Sequence, residues 1–113
     1  MFILQTEPRW TWPVVVRVPA DGGQAGESRF TAVWRLLPAP ERDRLGQTEA
    51  GTDDLLRQSI VDLRDIQDEA GQPVPHSAAL VDALIAIPWV RRGLIAAYAE
   101  ALAGVPSEAA RGN

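Results

Sequence analysis

The sequence contains no cysteine and no lysine, and it has one histidine among its 113 residues. Without cysteine the chain cannot form a disulfide, a zinc–thiolate centre or a thiol nucleophile. The single histidine, His76, cannot complete a usual zinc ligand set by itself. Because nothing beside it indicates a catalytic partner, we predict that His76 is a solvated or helix-capping residue.

Long apolar runs are also missing. The longest, residues 83–90 and 93–99, are far shorter than the ~20 residues that a membrane-spanning helix needs. The first residues carry no basic lead and no long apolar core, so a signal peptide is not expected. We therefore expect a cytoplasmic protein with no membrane partner.

An excess of basic charge is absent as well, because the formal net charge is -4 and the pI is near 4.9. Binding to nucleic acid requires a basic surface that displaces counterions, so no nucleic-acid partner is expected. The hydrophobic fraction of 46% and the charged fraction of 23% are ordinary for a globular protein. We predict a single domain over residues 1–104 and a flexible C-terminal tail over residues 105–113.

The first part of the chain has the alternation typical of strands. Residues 12–19 place Trp12, Val14, Val16 and Val18 on one face, and residues 28–37 alternate in the same way. Adjacent glycines lie in the polar segment 20–27 between them, so the two runs predict an antiparallel hairpin. Residues 1–6 are a candidate third strand, because a lone hairpin is rarely stable.

The remainder has helical spacing. We predict a short helical turn over 38–46 and a helix over 52–66 capped by Thr52. Two further helices are predicted over 77–86, capped by Ser77, and 88–104, beginning at Pro88 and ending at Gly104. The fold class is therefore α+β: an N-terminal antiparallel β-hairpin or small sheet followed by three to four packed helices, which lie on one face of the sheet.

The sequence carries no recognisable catalytic or cofactor-binding motif. Gly22, Gly23 and Gly26 join strand to strand, and no Gly-Lys-Ser or Gly-Lys-Thr follows them, so they do not predict a phosphate loop. No serine lies in a Gly-x-Ser-x-Gly setting. We assign no catalytic, cofactor-binding or metal residue, and we do not predict an enzyme.

The acidic residues of the middle segment are candidates for a metal site, because hard cations bind clustered carboxylates. Asp62 and Asp65 are three apart on the predicted helix and would share one face. The spacing does not fit a calcium loop, and Arg64 with the Asp68-Glu69 pair fits a solvated surface. The prediction is a solvated acidic surface.

Trp89, Arg91 and Arg92 open the last predicted helix. The turn before them is too short for a helix-turn-helix motif, and cations near a helix N-terminus oppose its dipole. Tryptophan and arginine are enriched at protein interfaces. On the residues alone, an interface and a core tryptophan flanked by exposed arginines are equally supported.

Several short motifs resemble the tail assembly chaperones of long-tailed bacteriophages and prophages. The resemblance covers residues 11–104, and it departs at Leu63, where members often carry an aromatic residue. The front half is carried by residues 12–19 with Asp21-Gly22-Gly23 and by residues 30–37. The more specific back half consists of residues 65–75, Ile87-Pro88-Trp89-Val90-Arg91-Arg92 and Ala97-Tyr98-Ala99-Glu100-Ala101-Leu102.

The resemblance implies a non-enzymatic protein that binds the helical tape-measure protein and helps to recruit tail-tube protein. Such a protein acts in the cytoplasm of the bacterial host and is not expected in the mature virion. The alternative is a structural virion component, such as a head-tail joining or minor tail protein. The predicted partner-binding residues are Trp89, Arg91, Arg92 and Tyr98, with Trp10 and Trp12 as a weaker second set.

Overall fold

A computed structural model describes residues 1–104, and the predicted flexible tail, 105–113, lies outside the described residues. The described chain forms one three-stranded sheet and four α-helices, which confirms the α+β prediction. None of the described helices is long and apolar enough to cross a bilayer. In chain order the elements are β1 (Arg9–Pro19), β2 (Ala25–Arg35), α1 (Ala39–Leu45), α2 (Glu49–Ser59), β3 (Ile60–Arg64), α3 (Ala78–Ile85) and α4 (Pro88–Ala103).

The predicted hairpin is confirmed, and it is longer and tighter than the sequence pattern indicated. β1 begins three residues before Trp12 and pairs antiparallel with β2 along its whole length. A single 3-10 turn, Asp21–Gly23, joins the strands, and both of its glycines have positive φ. The predicted polar loop over 20–27 is therefore too long, because β2 already begins at Ala25.

The third strand is not at the N-terminus. No strand lies within residues 1–6; instead β3 pairs antiparallel with β2, giving the strand order β1-β2-β3. The helix predicted over 52–66 is also wrong, since α2 spans Glu49–Ser59 and the chain then extends directly into β3. The cap of α2 is Thr48, whose hydroxyl accepts a hydrogen bond from the Gly51 N–H at 2.9 Å.

The core lies between one face of the sheet and the helices. Alternate residues of β1 and β2 point into it, as period-2 patterning requires. Glycine at 93 lets α4 approach β1 closely: a Cβ there would lie 2.7 Å from the carbonyl oxygen of Val15. The buried apolar side chains come from every strand and α-helix: Val14, Val16, Phe30, Ala32, Trp34, Leu37, Leu45, Leu55, Leu56, Ile60, Leu63, Val81, Ile85, Val90, Leu94, Ala97 and Tyr98.

The outer edge of β1 is closed to further strand pairing. The Leu36 N–H donates to the Pro8 carbonyl at 3.0 Å, which fixes even-numbered residues of β1 as those that bond to β2. Odd-numbered residues therefore direct their backbone outward, and two of them, Pro13 and Pro19, have no N–H to offer. Gly93 of α4 lies against the carbonyl of a third, Val15.

Candidate protein-binding site

The junction between α3 and α4 sets the positions of the predicted contact residues. Ile87 has extended backbone (φ -94°, ψ 115°), and Pro88 follows at the start of α4, where its missing N–H is harmless. The Arg91 N–H donates to the Ile87 carbonyl at 2.9 Å and closes the first turn. Because α4 then runs across β1, the first turn of the helix lies beside the outer edge of that strand.

We call the hollow at this crossing the junction groove. Its volume is about 160 Å³. Trp89 is half-buried along one side and packs on the core, whereas Arg92 is exposed. The groove is lined by Val15, Arg17, Trp89, Arg92, Gly93 and Ala96.

The charge around the junction groove is positive. The Arg17 side chain is 66% exposed, and its nearest carboxylate oxygen, on Glu27, is 4.0 Å away, too far for a strong pair. Arg92 makes no ion pair with any described residue. An apolar groove with two available guanidinium groups suits an apolar helix stripe that is flanked by carboxylates.

Arg91 has a different role from Arg92. Its Nε donates to the Asp53 carboxylate at 2.6 Å, and one of its terminal nitrogens lies 3.4 Å from the Glu49 carbonyl oxygen. Both partners belong to α2, and the Arg91 side chain is only 26% exposed. Arg91 therefore joins α4 to α2, beside a second hollow of about 400 Å³ that Arg92 also lines.

Tyr98 lies in the core and does not contact the junction groove. Its ring centroid is 5.6 Å from that of Trp34 and 6.5 Å from that of Trp10. Burial raises the pKa of the Tyr98 hydroxyl; Arg42 and Ser59 lie near enough to oppose the rise, although the two hydroxyls do not meet hydrogen-bond geometry. The predicted set thus separates into Trp89 and Arg92 in the groove, Arg91 on α2 and Tyr98 in the core.

The weaker predicted set, Trp10 and Trp12, lies on the core side of β1. Both side chains are half-buried against the hydrophobic core, and both indole N–H groups are shielded without a hydrogen-bond partner. Trp10 packs toward Tyr98. These tryptophans therefore extend the aromatic part of the core and lie outside the junction groove.

Two other sequence interpretations need correction. His76 is not the cap of α3, which is Ser77, whose hydroxyl accepts from the Leu80 N–H at 3.0 Å; the histidine is partly exposed, and its Nδ1 is shielded without a hydrogen-bond partner. Asp62 and Asp65 do not share a helix face, because the first belongs to β3 and the second follows the strand with φ 65°. Within residues 1–104, no three His, Cys, Asp or Glu side chains are grouped to hold a metal ion.

Sequence reasoning missed the contribution of β1 to the groove. Val15 and Arg17 alternate with the buried valines, so the strand pattern indicated only that they face away from the core. A stronger signal was Gly93, since glycine inside an apolar helix often marks a close approach of another backbone. That signal predicts contact but does not identify the strand that is contacted.

Comparison with known proteins adds no assignment. No protein family, no curated protein and no solved structure matches this chain. The junction groove and the sequence motifs around it are therefore the features of this chain that bear on its function.

Proposed function

We propose that this protein is a tail assembly chaperone of a long-tailed bacteriophage or prophage. It binds the tape-measure protein, keeps it soluble and assists assembly of the tail tube around it, without catalysing a reaction. It acts in the cytoplasm of the bacterial host and is absent from the finished virion. The short motifs shared with that family motivate the proposal, above all the segment Ile87-Pro88-Trp89-Val90-Arg91-Arg92.

The observation that carries the proposal is the junction groove. Two residues of that segment, Trp89 and Arg92, line the groove at the surface. Trp89 offers a half-buried aromatic face, and Arg92 offers an unpaired cation. Arg17 provides a second cation from β1, which α4 can approach closely because residue 93 is glycine. An aromatic anchor with flanking arginines is the composition in which binding energy concentrates at interfaces.

The shape and charge of the groove define the client segment. A hollow of about 160 Å³ accepts one or two apolar side chains and cannot enclose a whole helix. The client helix therefore lies across the groove, with an apolar residue over Trp89 and carboxylates toward Arg17 and Arg92. We propose an acidic amphipathic helix of the tape-measure protein as this client.

The test is co-expression with the tape-measure protein of the same phage. Arg92→Glu reverses a groove charge and is expected to reduce soluble tape-measure protein several-fold, because it repels client carboxylates. Trp89→Ala is expected to act in the same direction. Arg44→Glu is the matched control, since it makes the same charge change at an exposed position on α1, and its pair with Glu41 is a surface one.

Three measurements decide between the outcomes. Urea unfolding must show that the groove variants are folded, so that lost solubility of the client reports lost binding. Equal solubility with wild type, Arg92→Glu and Arg44→Glu would remove the groove from the proposal. Mass spectrometry of purified particles that finds this chain at stoichiometric levels would replace the chaperone with the structural virion component.

A further inference from the structure

Residues 1–4 form an apolar segment that nothing in the described chain covers. The side chains of Phe2, Ile3 and Leu4 are 85%, 74% and 83% exposed, and that of Met1 is fully exposed. No hydrogen bond or ion pair within residues 1–104 involves residues 1–7. Scattered apolar residues on a surface are normal, but four in succession are a candidate contact segment.

The outer edge of β3 is open, unlike that of β1. Even-numbered residues of β2 bond to β1, so its odd-numbered residues, Thr31 and Val33, direct their backbone toward β3. Their partners are Arg64 and Asp62, which leaves the N–H and carbonyl of Leu63 directed away from the sheet. This edge carries no proline, and within the described chain no strand pairs with it.

Hollows lie at both ends of β3. One, of about 200 Å³, is lined by the apolar residues Ile60, Ala78 and Val81 and by the polar residues Arg57, His76 and Asp82. The other, beside Arg64, includes Ile66 and Val74. A strand added to this edge directs alternate side chains to the helix side of the sheet, where Ile60, Ala78 and Val81 offer apolar contact.

The segment cannot pair fully with β3 of its own chain. Pro8 is held in the ladder by its hydrogen bond to the Leu36 N–H. From Pro8 to Leu4 is four residue steps, which span about 13 Å when extended. The position outside β3 lies three strand spacings from β1, about 14 Å, before any allowance for passing around the end of β2. A second copy of the chain has no such restriction.

We propose that residues 1–4 of one copy add as a fourth strand to the open edge of β3 in a second copy. Exchange in both directions closes a symmetric dimer and buries both apolar segments. A β-bulge between Val33 and Trp34 confines regular pairing to residues 62–64, so the apolar side chains supply most of the affinity. This self-association is independent of the client bound by the junction groove.

Sedimentation equilibrium of the full chain tests the stoichiometry. Wild type is expected to form a dimer, and the double substitution Phe2→Asp with Leu4→Asp is expected to raise its dissociation constant about a hundredfold or more, since it replaces apolar side chains that both segments bury in the dimer. Leu102→Asp is the control, because this exposed leucine belongs to α4, which is neither the N-terminal segment nor the β3 edge. It is expected to leave the dissociation constant unchanged.

Disulfide cross-linking tests whether residues 1–4 of one copy lie beside β3 of another. Because the chain has no cysteine, the introduced thiols are the only ones present. One population carries Phe2→Cys, Ile3→Cys or Leu4→Cys, and the other carries Arg64→Cys. On mixing and mild oxidation, at least one of the three is expected to form a mixed disulfide dimer, whereas Arg44→Cys is expected to form none.

Several results would overturn the proposal. They are a monomeric wild type, a dimer that the Phe2→Asp and Leu4→Asp changes leave intact, and cross-linking to Arg44→Cys as efficient as to Arg64→Cys. A chain carrying both Ile3→Cys and Arg64→Cys that forms only an internal disulfide would place the segment on its own β3.

Discussion

The two edges of the sheet are protected to different extents. Along β1, prolines at 13 and 19 remove outward donors, and Gly93 of α4 packs against the Val15 carbonyl. Along β3, the backbone of Leu63 faces outward, with a hollow at either end of the strand. The β1 edge therefore disfavours pairing with a further strand, whereas the β3 edge leaves backbone groups available for it.

This difference separates the two proposed surfaces. The junction groove lies at the closed edge, where the side chains Trp89, Arg92 and Arg17 are available but strand pairing is not. The β3 edge offers backbone groups instead. A client helix and a second copy of the chain can thus be bound at opposite sides of one small sheet without competing.

The largest expected effect comes from breaking the closed edge at Gly93. Gly93→Val places a Cβ 2.7 Å from the Val15 carbonyl oxygen, and backbone cannot move aside as a side chain does. We expect a loss of about 2–3 kcal/mol in the free energy of unfolding, measured with urea. Ala99→Val, at an exposed position of the same helix, controls for β-branching and is expected to cost less than about 1 kcal/mol. Equal losses for the two variants would contradict the close crossing.

An intermediate effect is expected from Tyr98, whose ring lies in the core between α4 and the paired strands β1 and β2. Its pKa is raised by burial in the folded protein, whereas the unfolded chain has the ordinary value of about 10. Above that pH the unfolded state releases the proton more readily than the folded state, so stability falls as pH rises and is unaffected below it.

Absorbance of tyrosinate measures this directly, because Tyr98 is the single tyrosine of the chain. The midpoint is expected above the ordinary value in the native protein and near it in denaturant. Tyr98→Phe should remove the tyrosine-dependent part of the alkaline loss of stability. A native midpoint equal to the denatured one would show that the hydroxyl is solvated.

The smallest expected effect on stability comes from Pro13→Val. Pro13 donates no backbone hydrogen bond, so the substitution removes none. Because valine is also favoured in strands, the free energy of unfolding should change by less than about 0.5 kcal/mol. The restored N–H faces outward at the closed edge, however, so concentration-dependent light scattering should rise. Val15→Thr, which keeps the N–H count of the edge, is the control. Unchanged scattering would mean that α4 alone closes this edge.

Much of the fold was predictable because its signals are local. The alternation of β1 and β2, the Ser77 cap, Pro88 at the start of α4 and Gly104 at its end all correspond to the elements found. Gly104 has φ 71°, the left-handed conformation that a glycine C-terminal to a helix commonly adopts.

β3 was missed for a physical reason. Leu56, Ile60 and Leu63 are spaced by four and three residues, so the helical pattern of α2 continues through the strand without a break. What makes the segment a strand is the free side of β2, which is a tertiary cause that no local window contains. Thr48 was missed as a cap because Thr52-Asp53-Asp54 offered a stronger signal and Gly51 disfavours a helix interior.

The candidate site was predictable only in part. Tryptophan and arginine at the start of α4 indicated an interface, but Arg91 and Arg92 are sequence neighbours with different environments. Successive residues on a helix differ in direction by about 100°, so one reaches Asp53 on α2 while the other remains exposed. The crossing with β1, which adds Arg17, depends on packing between distant parts of the chain.

The crossing of α4 over β1 also orders events during synthesis. Val15 leaves the ribosome well before Gly93. The β1–β2 hairpin is local and can form first, but its apolar face stays exposed until α4 has been synthesised and packs on it. Pro13 and Pro19 are present from the outset. The prolines therefore disfavour intermolecular strand pairing at the outer edge of β1 before α4 has been synthesised.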